Sequence, residues 1–245
     1  MEKRKKQEAE GIPVIQDPTN KYIATILSQY DFNGKDVLEI GCGKGRITRD
    51  LANHARRVTA TDPDAMALEA ARTNIAAENV IFIQEPTGIP DLPSGSFDMV
   101  IYTLSLHHVP ASEMLSSLRS AARLLRKTGV IVVIEPGDCG SFTEAKERFG
   151  AGSGDERPAK EAAIRSMNEL GGWAVGETIQ FRTLFQFDND EEFFTSMLPD
   201  YQQLPESFLN EVRSFLARYR TDNGIILEAD RRLNVLRPAE MRDQS

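Results

Sequence analysis

The sequence predicts an α/β protein whose mostly parallel sheet is covered by helices on both faces. First, short apolar segments that suit buried strands alternate with segments whose apolar residues recur at helical spacing. Second, the chain has 245 residues, of which 40% are hydrophobic and 27% are charged. This length and composition are typical of a globular α/β domain that folds around a sizeable core.

The first part of the chain alternates helix and strand regularly. Ile23, Ile26 and Tyr30 recur at helical spacing, which predicts a first helix over residues 18–30. Apolar runs predict strands at residues 36–40, 57–61, 80–84, 97–104 and 130–135. The helices between them are expected at residues 46–53, 64–77 and 111–126. Strands that are apolar on both faces suit a parallel sheet with right-handed crossovers.

The last third has a different pattern. Residues 141–172 are helical in pattern but contain several glycines and Pro158, which predicts a broken helix. Apolar and polar residues alternate over 179–187, as in a strand with one buried face. Two helices at residues 189–197 and 205–218 and a closing strand at 225–236 complete seven predicted strands.

We expect a single domain flanked by two tails. The predicted divisions are a polar tail at 1–17, the domain at 18–237 and a second tail at 238–245. Two segments, residues 141–176 and 188–223, are expected to form a lid over a bound substrate, since the substrate specificity of such folds often resides in added segments.

The charge balance and the cysteine content exclude several functional classes. The net charge is −8, from 29 basic and 37 acidic residues, which disfavours a general nucleic-acid-binding surface. Cys42 and Cys139 are the two cysteines, too few for a disulfide framework, so a reducing compartment is expected. No apolar run reaches the roughly 20 residues of a membrane span, and the N-terminus lacks an apolar signal core. These observations predict a cytoplasmic location and no membrane span.

A glycine at every second position follows the first predicted strand. Gly41, Gly43 and Gly45 come directly after the apolar strand and directly before a helix. Glycine lets the backbone turn sharply and lie close to a ligand, and a new helix end offers unpaired N–H groups. The spacing differs from the dinucleotide fingerprint G-x-G-x-x-G. The loop is therefore a candidate ligand cradle.

Polar residues at the ends of other strands extend this candidate site. Asp62 ends the second strand, 21 residues after Gly41, where a carboxylate can accept hydrogen bonds from both ribose hydroxyls. The alternative is an N-cap for the next helix, but Asp64 already offers a capping side chain. His107 and His108 end the fourth strand and are candidate general bases, with a backbone hydrogen bond at the helix start as the alternative. No metal is expected, because the pair lacks the spacing and the acidic partner of H-E-x-x-H.

Glu39-x-Gly41-x-Gly43-x-Gly45 resembles motif I of the class I S-adenosylmethionine-dependent methyltransferases. The S-F-D at residues 96–98 together with L-H-H-V at 106–109 is similar to the subgroup that includes ubiquinone and menaquinone biosynthesis methyltransferases. The resemblance implies a Rossmann-like, seven-stranded sheet with an antiparallel final hairpin and a helical lid insertion. The implied cofactor is S-adenosyl-L-methionine, which leaves as S-adenosyl-L-homocysteine.

The resemblance also assigns residues to parts of this methyl donor. The acid of motif I lies near the donor's ammonium group, the glycine loop near its methionine part, and the later residues near its ribose and adenine. The implied cofactor-binding residues are Glu39, Gly41, Cys42, Gly43, Gly45, Asp62, Pro63, Glu85, Pro86 and Leu104. Family members usually have Asp-Ala where this chain has Glu85 and Pro86, and Pro86 offers no N–H, so the adenine contact departs from the pattern.

The function predicted from these features is methyl transfer to a small organic acceptor. The fourth strand ends in L-S-L-H rather than in the N-P-P-Y segment associated with methylation of amino groups in bases or in protein glutamine. One alternative is a non-catalytic S-adenosylmethionine-binding module that regulates a partner. Another is a nicotinamide-dependent oxidoreductase, which the glycine spacing and the missing Tyr-x-x-x-Lys disfavour. The expected partner is the small acceptor rather than nucleic acid, and a homodimer is left open.

Overall fold

The structure, a computed structural model, describes residues 15–239. Most of the two predicted tails, residues 1–14 and 240–245, lies outside the described residues. The strands of the described chain are β1 Ile15–Gln16, β2 Asp36–Ile40, β3 Arg57–Asp62, β4 Val80–Gln84, β5 Phe97–Thr103, β6 Leu125–Pro136, β7 Trp173–Val175, β8 Ile179–Phe187, β9 Arg220–Thr221 and β10 Gly224–Pro238. The helices are α1 Lys21–Leu27, α2 Arg46–Ala52, α3 Ala65–Asn74, α4 Met114–Leu124, α5 Ser141–Phe149, α6 Arg157–Asn168, α7 Asp190–Met197 and α8 Glu206–Leu216.

The described chain divides into two compact units. The large unit contains residues 20–138, 156–182 and 230–239, and the small unit contains residues 15–19, 139–155 and 183–229. Strands β8 and β10 each contribute one part to each unit. A single domain over 18–237 stays a prediction.

The large unit is built on a mostly parallel sheet. Its strand order is β10-β6-β5-β2-β3-β4, with β7 also paired to β10. The pairs β6/β5, β5/β2, β2/β3 and β3/β4 are parallel, whereas β10 runs antiparallel to β6. This arrangement confirms the predicted parallel sheet with an antiparallel final strand. It also brings the carboxyl ends of β2, β3 and β5 to one edge.

Helices cover both faces of this sheet, as the apolar strands predict. Successive strand residues point to opposite faces, so Leu38 packs into one apolar cluster and Val37 into another. The cluster around Leu38 includes residues of α4 and α6, and the cluster around Val37 includes residues of α1 and α2. Each face of the sheet therefore contributes to a separate layer of the core.

The small unit has its own apolar core. It contains β1, α5, α7, α8 and β9, together with parts of β8 and β10. Phenylalanines supply much of the core, and Phe187 and Phe193 are both fully buried with ring centroids 5.1 Å apart. The predicted break in residues 141–172 is confirmed, because α5 ends at Phe149 and α6 begins at Arg157.

The predicted number of strands was too small. All seven predicted strands are present, but the sheet of the described residues has ten strands. The three additional strands, β1, β7 and β9, are each only two or three residues long. Segments of that length show no periodicity in a sequence. No described helix combines the length and the apolar composition that crossing a bilayer requires.

Candidate active site

The loop that follows β2 has the backbone conformation that its glycines permit. Gly41 and Gly43 have φ of 74° and 54°, in the left-handed region. The N–H groups of Gly41 and Cys42 donate to the carbonyl of Thr61 over 2.8 and 2.9 Å, which ties the loop to β3. A Cβ at Gly41 would lie 2.5 Å from the Cβ of Ser105. Glycine is thus required at position 41 by close packing as well as by φ.

The other two glycines have different surroundings. A Cβ at Gly43 would have no atom within 4 Å, so this residue faces open space. A Cβ at Gly45 would lie 2.5 Å from Cδ1 of Ile75 and 3.1 Å from Cβ of Ala71, a residue of α3. Gly43 therefore leaves room for a ligand, whereas Gly45 allows the start of α2 to pack closely against α3.

A cavity of about 450 Å³ lies beside Gly43, at the carboxyl ends of β2, β3 and β5. Seven residues predicted from the sequence line it: Gly41, Gly43, Asp62, Pro63, Pro86, Leu104 and His108. The rest of the wall is formed by Ile40, Thr87, Gly88, Ser105, Val109, Pro110 and Glu113. Cavities of this size and position typically hold small ligands in open α/β sheets.

Asp62 supports the glycine loop from the end of β3. Its Oδ2 accepts a hydrogen bond from the N–H of Gly43 over 2.7 Å, and its Oδ1 accepts from the N–H of Asp64 over 2.9 Å. Asp64 is the N-cap of α3, because its side chain accepts from the N–H of Met66 over 2.8 Å. Each carboxylate oxygen has a second lone pair, so Asp62 retains acceptor capacity toward the cavity. Binding of ribose by Asp62 stays a prediction.

Glu39 is buried behind the loop, with 1% of its surface exposed. The hydroxyl of Thr48, on α2, donates to its carboxyl over 2.6 Å. Burial raises the pKa of Glu39 to about 7, although the hydrogen bond from Thr48 opposes the shift. The carboxyl therefore joins β2 to α2, and its contact with a donor ammonium group stays a prediction.

Cys42 and Glu85 were predicted to contact the cofactor, but neither belongs to the cavity wall. Cys42 is buried beside Ala60 and Leu68, and burial raises the pKa of its thiol. Glu85 accepts hydrogen bonds from the N–H and the hydroxyl of Thr87 over 3.2 and 3.0 Å. The adjacent Pro86 does line the cavity, together with Thr87 and Gly88 of the same loop after β4.

The segment after β5 brings two neighbouring histidines into different environments. Leu104 has φ of 56°, a strained conformation for a residue with a branched side chain. The 3-10 turn Leu106–His108 follows it. His108 is exposed and lines the cavity, whereas His107 is 5% exposed. The two predicted general bases are thus not equivalent, and only His108 is at the cavity wall.

Two carboxylates flank the imidazole of His107. Its Nδ1 lies 2.6 Å from Oε2 of Glu135, and its Nε2 lies 3.6 Å from Oε1 of Glu156. Burial alone lowers the pKa of His107, but the hydrogen bonds and negative charges of both glutamates outweigh it and raise the pKa to about 9. Asp138, three residues after Glu135, pairs with the buried Lys160.

Sequence reasoning missed two residues that shape the site, Thr48 and Glu156. The hydroxyl of Thr48 donates to Glu39 over 2.6 Å. Glu156, directly before α6, faces His107 although 49 residues separate them. A hydroxyl on the first turns of the helix after motif I is a local signal that could have indicated Thr48. No local pattern indicates Glu156.

The fold and the site define an open-sheet α/β protein with a cavity at the carboxyl ends of its strands, where proteins of this class bind their ligands. Residues 38–133 match a family model described as "Methyltransferase domain". Over these residues the chain is thus similar to methyltransferases, as the predicted resemblance to class I enzymes implies, and S-adenosylmethionine is the cofactor that this resemblance implies.

Individual relatives agree with this assignment. The chain is 31% identical over 117 residues to a ribosomal protein L11 methyltransferase of Thermosipho melanesiensis. The aligned segment covers 47% of this chain and 43% of the relative. It is 30% identical over 101 residues to a ubiquinone biosynthesis O-methyltransferase of Sodalis glossinidius, with 40% of each chain covered. The chain thus spans less than half the length of these curated relatives.

A solved structure confirms the fold over a longer stretch. A crystal structure described as a putative methyltransferase from Bacillus halodurans superposes with a TM-score of 0.59 at 16% identity. The superposition covers 88% of this chain and 97% of that chain. The Rossmann-like fold is therefore shared well beyond the residues that the family model matches.

Proposed function

We propose that this protein is a transferase that moves a methyl group from S-adenosylmethionine to a small organic acceptor. The observation that carries the proposal is the cavity of about 450 Å³ beside Gly43, at the edge where motif I ends β2. The open space at Gly43 and the carboxylate of Asp62 fit an adenosyl sulfonium compound, which has hydroxyl and ammonium donors and needs close backbone approach.

When bound, S-adenosylmethionine supplies a methyl group that its sulfonium already activates. The residues of this chain then have three tasks: to hold the donor, to orient the acceptor and to exclude water. Orientation alone can contribute on the order of 7–11 kcal/mol to lowering the barrier. Gly41 and Gly43 allow the backbone to approach the donor, and Asp62 offers acceptors for its ribose. His108, on the cavity wall, is the residue we propose as proton acceptor for the nucleophile.

A small acceptor suits the charge of the chain. The net charge of −8 disfavours a polyanionic acceptor such as a nucleic acid. One curated relative is named for a ribosomal protein and another for ubiquinone biosynthesis, so relatives alone do not decide the acceptor. The net negative charge and the L-S-L-H segment favour a small molecule as the acceptor.

Calorimetric titration of S-adenosylmethionine into the purified protein tests the donor site. Gly43→Val should lower the affinity at least tenfold, because its side chain would occupy the open space in the cavity. Gly34→Val is the matched control, since Gly34 has φ of 71° and also has nothing within 4 Å of a Cβ, but it lies in the turn before β2. Equal affinities for the wild type and both variants would remove the donor-site assignment.

A second pair of variants tests Asp62. Asp62→Ala should weaken donor binding, whereas Asp64→Ala should remove the N-cap of α3 and cost about 1 kcal/mol of stability without that loss of affinity. Incubation with labelled donor and a metabolite extract then tests transfer. Tight donor binding without any transfer would support the non-catalytic alternative instead.

A further inference from the structure

Three side chains that suit a metal ion come together beside the cavity. His107 and His108 belong to the 3-10 turn after β5, and Glu156 directly precedes α6. One ligand atom from each residue lies within 4.8 Å of the others. Two imidazoles and one carboxylate are a ligand set that divalent transition metals commonly use.

A fourth residue orients this cluster. Glu135, at the end of β6, is fully buried, and its Oε2 lies 2.6 Å from Nδ1 of His107. Accepting a hydrogen bond from Nδ1 turns the other ring nitrogen, Nε2, toward Glu156. Metal-binding histidines almost always donate their second ring N–H to such a carboxylate or carbonyl. The contact between Glu135 and His107 therefore supports a metal site independently of the three ligand residues.

The spacing is close to what a bound ion needs. Ligand atoms of a tetrahedral zinc site lie roughly 3.4 Å apart, given metal–nitrogen bonds of about 2.0–2.1 Å. His107 Nε2 and Glu156 Oε1 are already 3.6 Å apart. The buried His107 is held in place, whereas His108 is exposed and Glu156 has a long side chain. The remaining movement, on the order of 1 Å by the same bond lengths, falls on the two adaptable ligands.

We propose that His107, His108 and Glu156 bind one divalent transition-metal ion, with Glu135 as the residue that positions His107. Because His108 also lines the cavity, the ion would add a Lewis acid to the wall of the site, a consequence that rests on the proposed function. Metal binding and proton acceptance use the same lone pair of His108, so the proton acceptance proposed for His108 applies to the metal-free protein. A proton on His107 Nε2 competes with the metal in the same way.

Metal binding can be measured without the methyl donor. Metal-free, tag-free protein carrying Cys139→Ser, which removes the exposed thiol, is titrated with Zn²⁺ by calorimetry and with Co²⁺ by visible absorption. We expect one ion per chain. His108→Ala and Glu156→Gln should each lower the affinity at least tenfold, and Glu135→Gln should lower it about 10- to 100-fold.

His54→Ala is the matched control, because His54 follows α2 and lines a different cleft. It should leave the affinity unchanged. Thermal unfolding of each metal-free variant separates loss of a ligand from loss of the fold. Absence of a stoichiometric site, or equal binding by all variants, would overturn the proposal and would mean that any ion is adventitious. Metal binding that persists while donor binding fails would instead refute the proposed function alone.

Discussion

Glu39 illustrates how a single residue can carry a pH dependence. Its carboxyl is buried, the hydroxyl of Thr48 donates a hydrogen bond to it, and burial raises its pKa from 4.5 to about 7. In the unfolded chain the carboxyl ionises near its ordinary pKa, so between these two values the unfolded state loses its proton first. The contribution of protonated Glu39 to the free energy of unfolding is therefore lost as the pH rises from about 4.5 to about 7. Above that range this contribution changes no further.

Glu39→Gln should remove this dependence, because the amide cannot ionise and its oxygen still accepts the hydrogen bond from Thr48. The free energy of unfolding of the wild type should fall relative to the variant by about 3 kcal/mol between pH 4.5 and 7, as the pKa shift implies. Urea denaturation over a pH series measures it. Thr48→Val, which removes the opposing hydrogen bond, should move the midpoint to higher pH. Parallel curves for the wild type and Glu39→Gln would contradict the assignment.

At the level of elements, the loop after β2 depends on contact between α2 and α3. Gly45 is the N-cap of α2 and has φ of 81°, and a Cβ at this position would clash with Ala71 and Ile75. The same loop is held from the other side by Asp62, whose neighbour Asp64 caps α3. The conformation of the loop after β2 thus depends on contacts with β3, α2 and α3.

Gly45→Ala should be more destabilising than Gly34→Ala. Both positions require a left-handed backbone, which costs about 1 kcal/mol for alanine, but only Gly45 adds a steric clash of about 1–3 kcal/mol. Chemical denaturation of both variants measures the difference. Adding Ile75→Val removes the clashing Cδ1 and should recover part of the loss in a double-mutant cycle. An equal loss of stability in the two glycine variants would contradict the inferred clash of a Cβ at position 45.

At the scale of the whole molecule, two separate apolar cores support the two compact units. Phe193 is fully buried in the core of the small unit, and Leu118 is fully buried in the core of the large unit. Regions with their own core can open separately, and hydrogen exchange reports such local opening.

Phe193→Ala should cost about 3–5 kcal/mol in the small unit, because it leaves a cavity among aromatic rings. Amide exchange should then increase first in residues 139–155 and 183–229, while β2, β3 and β5 stay protected. Leu118→Ala should produce the opposite distribution. Exchange monitored by mass spectrometry distinguishes the two patterns. A uniform increase across both units in either variant would show that the chain opens as one cooperative body.

The parts of the fold predicted correctly are those that local pattern controls. All seven predicted strands exist, because short, β-branched apolar runs such as that from Val130 to Ile134 suit a buried strand between helices. The glycine loop was also predicted, since backbone positions with positive φ strongly favour glycine. The three additional strands were missed, because two or three residues carry no period.

The sequence by itself determined the class of fold, the resemblance to methyltransferases and the edge of the sheet where the candidate site lies. Those properties follow from residues that are neighbours in the chain, through strand and helix periodicity and the special freedom of glycine. Only the tertiary structure decided that His107 is buried between Glu135 and Glu156 while His108 lines the cavity. Residues 28 and 49 positions away supply those carboxylates. Their approach depends on the path of the whole chain, which no local pattern encodes.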